Sequence, residues 1–424
     1  MIGRIVPTAA ILVSTLLLIA TGGFAQTPTP QIPKYPIQVD ANYFKTHIPP
    51  SPKYLALDLL SPDTKTALNR EAQAALSGNA NAIGAASTIV SIPRFSGSFT
   101  SGPVQPFIMV GNPPPTTGKT LIKTQLVPIS LVFDGFINPQ TGTTAVINTG
   151  PFVVGKTLAG PDFARTQYTD GFSLQFADAV QRAEFQSVRR TDWHTILNPP
   201  TMFAGVTLHV TSTDPSIVQV FQLPDGKIYC LFDFNFFRNQ LNTLLQSEPL
   251  TPRQLRIFLI KNTFLFQGGN PANCCVVGFH TANETITSTQ TFLQTYAYAS
   301  WIDSDVATQF LGNPTFMDIV ALSHEISEWM NDPFPGILTN AVTPPWQFPG
   351  HPGVCQGNLE VGDPVEVLAQ NLITFPVTLG GFTYHPQNEA LLQWFAQVTP
   401  SDAINGAYSY PNENSLTSAS ISCP

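Results

Sequence analysis

The chain has 424 residues, a formal net charge of −8 and only 11% charged residues, together with 39 prolines and 29 glycines. It contains no run of lysine or arginine that would follow a phosphate backbone, so we expect no nucleic-acid partner. Low charge combined with abundant proline and glycine favours a β-rich, loop-rich extracellular protein over a helical cytosolic one.

The N-terminus has the order of features found in a secretory signal. Arg4 precedes an apolar stretch over residues 9–20, and Gly23-Phe24-Ala25 supplies the small-residue pattern of a cleavage point. The apolar stretch is shorter than the roughly 20 residues of a membrane-spanning helix. We therefore predict that residues 1–25 are a cleaved signal peptide and that the mature protein is secreted or periplasmic, with no membrane contact.

The segment after the signal changes from an extended to a helical pattern. Residues 26–55 are rich in proline and lack apolar periodicity, which is typical of a leader or linker. Ser61 can then cap a helix that has Pro62 in its first turn. The alanine-rich run that follows predicts a helix to Leu76.

Residues 56–234 have the composition of a β-rich region. Runs of valine, isoleucine and threonine predict strands over 124–133, 144–154 and 206–211, and one helix is predicted over 173–185. The turn Pro224-Asp225-Gly226 predicts a hairpin between strands at 216–222 and 227–232, because Asp-Gly tolerates the positive φ of a tight turn.

Residues 235–424 mix helical and strand patterns, so the predicted fold class is α+β. Two helices are expected, one over 236–245 and one starting at Thr251-Pro252. Strands are expected at 255–260, 275–279 and 292–299, followed by a helix over residues 314–331 that begins after Asn313 and ends before Pro333.

Five cysteines allow at most two disulfides and leave one thiol over. They are Cys230, Cys274, Cys275, Cys355 and Cys423. Their pairing is open, with a preference for Cys355–Cys423 because that bridge would hold the C-terminus. For the adjacent pair Cys274-Cys275, ordinary thiols or two separate bridges are expected rather than a vicinal disulfide.

The predicted helix over 314–331 carries the residues with the clearest chemistry. His324 and Glu328 are four positions apart, so they share one helix face with Cβ atoms about 5–6 Å apart and can bind one metal ion. Glu325 is rotated about 100° from His324, where it can act on water without binding the ion. The alternative interpretation is a surface helix on which these side chains are merely solvated.

This segment resembles the zincin metallopeptidase motif H-E-x-x-H, in the variant form H-E-x-x-E. The order of strands before the motif helix is also similar to zincins, and the pattern over residues 323–363 is similar to secreted phosphate-induced, exordium-like proteins. The resemblance implies a zincin-like mixed sheet, with His324 and Glu328 as metal ligands and Glu325 as the general base. It covers no part of the N-terminal half.

A catalytic zinc site needs a third protein ligand. The turn over residues 358–364 offers Glu360 as our first choice and Asp363 as the second. Two histidines rank behind these carboxylates: His351 and His385. Three side chains are candidate donors to a developing oxyanion: His280, Tyr384 and His385.

The departure from the common motif is at Glu328, where a neutral imidazole is replaced by a carboxylate. Zinc is the expected cofactor, and manganese, iron and calcium are alternatives because they accept more oxygen ligands. The resemblance implies a secreted peptidase acting on a peptide or protein substrate. The alternative is a non-catalytic binding or cell-surface protein, with tryptophans as carbohydrate platforms although core packing is expected for most of them: Trp193, Trp346 and Trp394.

Overall fold

The largest sheet of the computed structural model is built on one long strand, Lys119–Ile137. Gln254–Lys261 pairs with it in parallel, and Thr291–Trp301 pairs in parallel with Gln254–Lys261. Gly278–Ile286 pairs antiparallel with Thr291–Trp301. The sheet therefore takes strands from both sides of residue 235, and both predicted regions contribute to it.

The structure describes residues 35–37, 59–76, 89–98, 106–114, 117–188, 190–335, 346–349 and 353–423. Residues 34–424 form one compact unit of mixed α+β structure, in agreement with the predicted fold class. The predicted signal peptide, most of the predicted linker and His351 lie outside the described residues. Among the described residues, no helix combines the length and the apolar character needed to cross a membrane.

Six short strands complete the largest sheet. One pairs with Thr291–Trp301, and five pair with Lys119–Ile137. In chain order the six are Tyr35–Pro36, Ile89–Val90, Thr144–Ile147, His194–Leu197, Thr201–Met202 and Val206–Val210. Ile89–Val90 is the strand that pairs with Thr291–Trp301.

A second sheet contains the predicted hairpin. Val218–Gln222 and Ile228–Asp233 pair antiparallel on either side of Gly226, whose φ of +92° is the positive value that the Asp-Gly turn predicted. Thr263–Phe266 and Cys274–Val276 complete this sheet. The single strand predicted over 275–279 is therefore wrong, because its two ends belong to different sheets.

The remaining strands form five two-stranded sheets. They are Arg94–Ser98 with Pro106–Val110, Thr166–Gln167 with Ser173–Leu174, Trp346–Gln347 with Cys355–Gln356, Val377–Leu379 with Phe382–Tyr384, and Glu389–Ala390 with Ser409–Tyr410.

The described residues contain eight α-helices. They are Pro62–Leu76, Pro151–Ala159, Phe176–Glu184, Phe234–Gln246, Ser304–Gln309, Val320–Asn331, Asp363–Leu368 and Leu392–Phe395. The first confirms the predicted bounds, and the third and fourth confirm the helices predicted near 173–185 and 236–245.

Two further element predictions are wrong. The strand expected over 144–154 ends at Ile147, since Pro151 opens a helix, where its missing N–H costs nothing. The helix expected at Thr251 is a turn that leads into Gln254–Lys261. There the side chain of Gln294 accepts hydrogen bonds from both the N–H and the hydroxyl of Thr251, at 2.8 and 3.0 Å.

The positions of the cysteines confirm one prediction and contradict another. The sulfur atoms of Cys355 and Cys423 lie at disulfide distance, which confirms the preferred pair. Those of Cys274 and Cys275 do so as well, so the expectation against a vicinal pair is wrong. Cys230 keeps a buried free thiol.

The three tryptophans considered as carbohydrate platforms are core residues. Trp193, Trp346 and Trp394 have at most 2% of their surface exposed. Trp346 packs edge-on against Trp394 with ring centroids 5.4 Å apart. The expectation of core packing is confirmed, and none of the three presents a face to a sugar.

Candidate metal centre

The motif helix, Val320–Asn331, is buried at every residue. It packs against the strands Gly278–Ile286 and Thr291–Trp301 on one side and the helix Phe176–Glu184 on another. Gln181 ties the two helices together, because its side-chain amide donates to the carbonyl of Met330 at 3.0 Å. The interpretation of a solvated surface helix is therefore excluded.

The motif helix begins later than the predicted start at Pro314. Asp318 has a φ of +48°, which interrupts any helical path from Pro314. Its carboxylate accepts the backbone N–H groups of Ile319 at 2.6 Å and of His385 at 2.9 Å. Asp318 thus joins the start of the motif helix to the segment that contains His385.

The predicted ligands His324 and Glu328 meet on one face of the helix, as their spacing requires. His324 Nε2 lies 3.0 Å from Glu328 Oε2 and 3.8 Å from Asp363 Oδ1. The ligand atoms of these three residues all lie within 4.8 Å of one another and can hold a metal ion. Two ligands at about 2.0–2.2 Å from one zinc ion are at most about 4.4 Å apart, so the two measured pairs fit.

Asp363, rather than Glu360, lies beside His324. Glu360 Oε1 accepts a hydrogen bond from the side-chain amide of Asn358 at 3.0 Å, and Oε2 lies 4.0 Å from His280 Nδ1. Our first choice for the third ligand is therefore placed next to a different histidine. Asp363, our second choice, occupies the position beside His324 that we expected for Glu360.

Two glycines bring the chain close to the motif side chains. A Cβ atom on Gly362 would lie 2.6 Å from His324 Cε1, and one on Gly278 would lie 2.6 Å from both Cγ and Oε1 of Glu325. The Gly362 N–H also donates to Glu328 Oε1 at 3.1 Å. Only residues without a side chain allow these approaches.

His280 is part of a buried cluster that also contains His324, Glu325, Glu328, Glu360 and Asp363. It lies on the strand Gly278–Ile286, and its Nδ1 is 3.1 Å from Glu325 Oε2. Its Nε2 donates to the backbone carbonyl of Asp332 at 2.9 Å. His280 therefore faces the carboxylates with one nitrogen and is held by the chain with the other, so it is not placed as a separate donor to an oxyanion.

The other two candidate oxyanion donors are engaged elsewhere. The Tyr384 hydroxyl donates to the carbonyl of Lys156 at 3.0 Å. His385 Nδ1 lies 2.7 Å from Asp318 Oδ2. The Tyr384 hydroxyl is committed to a carbonyl, which does not support its expected role as an oxyanion donor. His385 belongs to no metal-holding group among the described residues, so its expected role as a ligand is not supported either.

Sequence reasoning missed two carboxylates of the cluster. Glu366 Oε1 lies 3.7 Å from His324 Nδ1, and the buried Glu389 interacts electrostatically with His324. Glu366 follows Asp363 by three positions on a short helix, a spacing that would have indicated a shared face. Glu389 has no comparable signal, because it enters from a separate short strand.

The pKa values of the motif side chains are shifted by burial and by one another. Burial would raise the pKa of Glu328, but His324 and His280 outweigh it and lower that pKa. For Glu325, burial is the largest effect and raises the pKa. Burial would lower the pKa of His324, yet the neighbouring carboxylates, Glu328 first, raise it well above its usual value.

The remaining carboxyl groups have raised pKa values because burial disfavours their charged forms. The pKa of Glu366 rises to about 7, and that of Asp363 rises well above its usual range, with Glu328 adding to the effect. Two imidazoles thus face an excess of carboxyl groups. A cation would favour the charged forms of these carboxyl groups, which burial otherwise disfavours.

Asp162 is a buried carboxyl group that interacts electrostatically with Asp318, and it predicts a pH dependence of stability. Burial, and secondarily Asp318, raises the pKa of Asp162 to about 8, against about 3.9 in an unfolded chain. The folded state therefore keeps this proton to higher pH than the unfolded state, and the resulting loss of stability grows between about pH 4 and pH 8.

We expect Asp162→Asn to raise the melting temperature at pH 8 and to change it little at pH 4. Thermal unfolding of both proteins across this range measures the difference. Asp192→Asn is the control, since the Asp192 side chain is 66% exposed. A difference that stays constant with pH would contradict the proposed origin.

These features define a mixed α+β protein with a buried group of histidine and carboxylate side chains that can hold a metal ion. Comparison of the chain with protein-family models, curated proteins and solved structures finds no match. The resemblance to zincins therefore stays a prediction that rests on the motif.

Proposed function

We propose that this protein is a metal-dependent hydrolase that cleaves peptide bonds, with the ion held by His324, Glu328 and Asp363. The observation that carries the proposal is the position of the Glu325 carboxylate, whose Oε1 lies 3.9 Å from His324 Nε2. A carboxylate beside three ligands is the arrangement that a general base at a catalytic zinc site requires. Three protein ligands also leave a coordination position open.

The donor set fits a divalent cation. His324 Nδ1 has no hydrogen-bond partner among the described residues, but Glu366 lies 3.7 Å from it, and ligating imidazoles commonly direct their second nitrogen toward a carboxylate. The imidazole favours zinc, whereas the carboxylates also suit manganese, iron or calcium. We propose zinc, which would act as a Lewis acid on the substrate carbonyl.

The chain's own residues supply the proton transfer. Glu325 accepts a proton from the attacking water and passes it to the leaving amine. Its raised pKa, caused first by burial, brings it closer to the working pH of a base. His280 Nδ1 lies 3.1 Å from Glu325 Oε2, so the imidazole stands directly beside the carboxylate of the base.

We also propose that the protein works outside the cytoplasm. Two pairs of cysteine sulfurs lie at disulfide distance, and such bonds persist in oxidising compartments. The N-terminal signal pattern supports the same location. A peptide or protein substrate in that compartment agrees with the proposed reaction.

Glu325→Gln is the direct test of the proposed reaction. We expect the variant to lose at least about 100-fold of its peptide hydrolysis while it keeps its metal, because a general base contributes about 10²–10⁴-fold to the rate. Cleavage of a peptide library is followed by mass spectrometry, and metal content by elemental mass spectrometry. Glu248→Gln, outside the cluster, is the matched control and should cleave as the native protein does. Full activity in Glu325→Gln would rule out this mechanism.

One observation favours a second candidate, a non-catalytic binding protein with a structural metal. His324, Glu328 and Asp363 are at most 7% exposed, so access for a substrate is restricted among the described residues. In that case the native protein would bind metal and cleave no peptide. The same experiment therefore separates the two functions.

A further inference from the structure

The acidic cluster contains a second group of ligand atoms beside the proposed catalytic one. His280, Glu325 and Glu328 have ligand atoms that all lie within 4.8 Å of one another. This group shares only Glu328 with the group formed by His324, Glu328 and Asp363. Each group therefore has its own histidine, and one carboxylate lies between them.

The distances in the second group suit a single ion. His280 Nδ1 lies 3.1 Å from Glu325 Oε2 and 3.7 Å from Glu328 Oε2. Glu360 Oε2 lies 4.0 Å from the same nitrogen. All three distances are shorter than the roughly 4.4 Å that separates opposite ligands of one zinc ion. Glu360, which Asn358 holds, lies beside this group without belonging to it.

The hydrogen bonding of His280 supports a ligand role. A carbonyl oxygen can only accept, so Nε2 carries the proton in its 2.9 Å contact with the carbonyl of Asp332. In the neutral ring the lone pair then lies on Nδ1, which points at the carboxylates. A backbone carbonyl that fixes the outer nitrogen of an imidazole is a common arrangement behind metal-ligating histidines.

The two histidines are held independently of each other. His280 is fixed by the end of the motif helix through Asp332, whereas His324 Nδ1 faces Glu366 on the helix Asp363–Leu368. Both rings direct their inner nitrogen toward Glu328 Oε2, at 3.7 and 3.0 Å. Both imidazoles therefore direct a nitrogen toward the same carboxylate oxygen.

We infer that His280, Glu325 and Glu328 form a second divalent-cation site next to the first, with the Glu328 carboxylate shared between two ions. The second site would also regulate hydrolysis, a consequence that rests on the proposed function. An ion in the second site binds Oε2 of Glu325, the carboxylate whose Oε1 faces His324, and its positive charge makes that carboxylate a weaker proton acceptor. Hydrolysis should therefore rise with the metal concentration while the first site fills and fall when the second site fills.

Metal stoichiometry tests the second site without any assay of hydrolysis. The full-length protein is dialysed against a series of free zinc concentrations, and bound zinc is measured by elemental mass spectrometry. We expect two equivalents in the native protein, and one equivalent in both His280→Ala and His324→Ala. His280→Gln is the second variant, because its amide can still donate to the Asp332 carbonyl while the ring nitrogen is lost. Circular dichroism verifies that each variant is folded.

The outcomes separate this inference from the proposed function. A single equivalent in the native protein that His280→Ala and His280→Gln leave in place would overturn the second site and leave the hydrolase proposal standing. Two equivalents with the expected losses support the second site even if no peptide is cleaved. Where hydrolysis is observed, the zinc concentration at which activity declines should be at least about 10-fold higher in His280→Gln than in the native protein. The reason is that loss of one ligand weakens zinc binding at the second site by about that factor or more.

Discussion

Glu328→Gln is expected to weaken metal binding by more than about 100-fold, the largest effect of any single substitution in the cluster. Loss of a residue that merely supports a ligand typically costs about 10–100-fold in metal affinity, and Glu328 is a ligand of both proposed ions. It is also the one cluster carboxyl group whose pKa is lowered, by His324 and His280 against the effect of burial. The substitution keeps the shape of the side chain and an oxygen that can accept the Gly362 N–H.

Titration calorimetry with zinc measures this loss, and Glu366→Gln is the matched control. Glu366 lies 3.7 Å from the outer nitrogen of His324 and belongs to neither ligand group. We expect its substitution to cost about 10–100-fold, as for a supporting residue. Equal losses in the two variants would mean that Glu328 is a supporting residue as well, and that the ion is held elsewhere in the cluster.

Several of the features that the sequence predicted are decided by neighbouring residues. The hairpin at Gly226 follows from a turn that needs positive φ, and the helix Pro62–Leu76 follows from a cap and a proline in its first turn. The meeting of His324 with Glu328 likewise depends only on helical periodicity. None of these features needs information from a distant part of the chain.

Several of the predictions that are wrong depend on contacts between distant segments, although the strand expected over 144–154 is ended by a local signal, Pro151. Glu360 and Asp363 lie in one turn, and the turn alone does not say which carboxylate faces His324. The choice is made by Asn358, which holds Glu360, and by Gly362, which lets the turn approach the motif helix. Both effects require the packed structure.

For the same reason, the sequence suggests only a role as an oxyanion donor for His280. It is distant from the motif helix in the chain, and its place is set by the pairing of Gly278–Ile286 with Thr291–Trp301. The predicted start of the motif helix is also wrong, because Asp318 adopts a positive φ while its carboxylate accepts the backbone N–H of His385. Such a conformation is stabilised by a partner that lies far away in the sequence.

Gly362→Ala is expected to lower both metal affinity and stability without changing any ligand. The added Cβ would lie 2.6 Å from His324 Cε1. The His324 ring is buried, so it has little freedom to move away from the backbone of residue 362. Overpacking of this kind costs about 1–3 kcal/mol of unfolding free energy. Because Gly362 has an ordinary helical φ of −79°, the effect is steric and involves no backbone strain.

Gly155→Ala is the control for the loss of a glycine. Gly155 is exposed within the helix Pro151–Ala159, nothing lies within 4 Å of its added Cβ, and alanine there should stabilise the helix by about 0.5–1 kcal/mol. Urea unfolding and zinc titration of both variants measure the two effects.

Gly278→Ala adds a third comparison, because its added Cβ would collide with the side chain of Glu325 rather than that of His324. If Gly362→Ala weakens binding of the first equivalent of zinc and Gly278→Ala weakens binding of the second, the two sites are held by different side chains. Unchanged zinc binding in Gly362→Ala would remove His324 from the set of ligands.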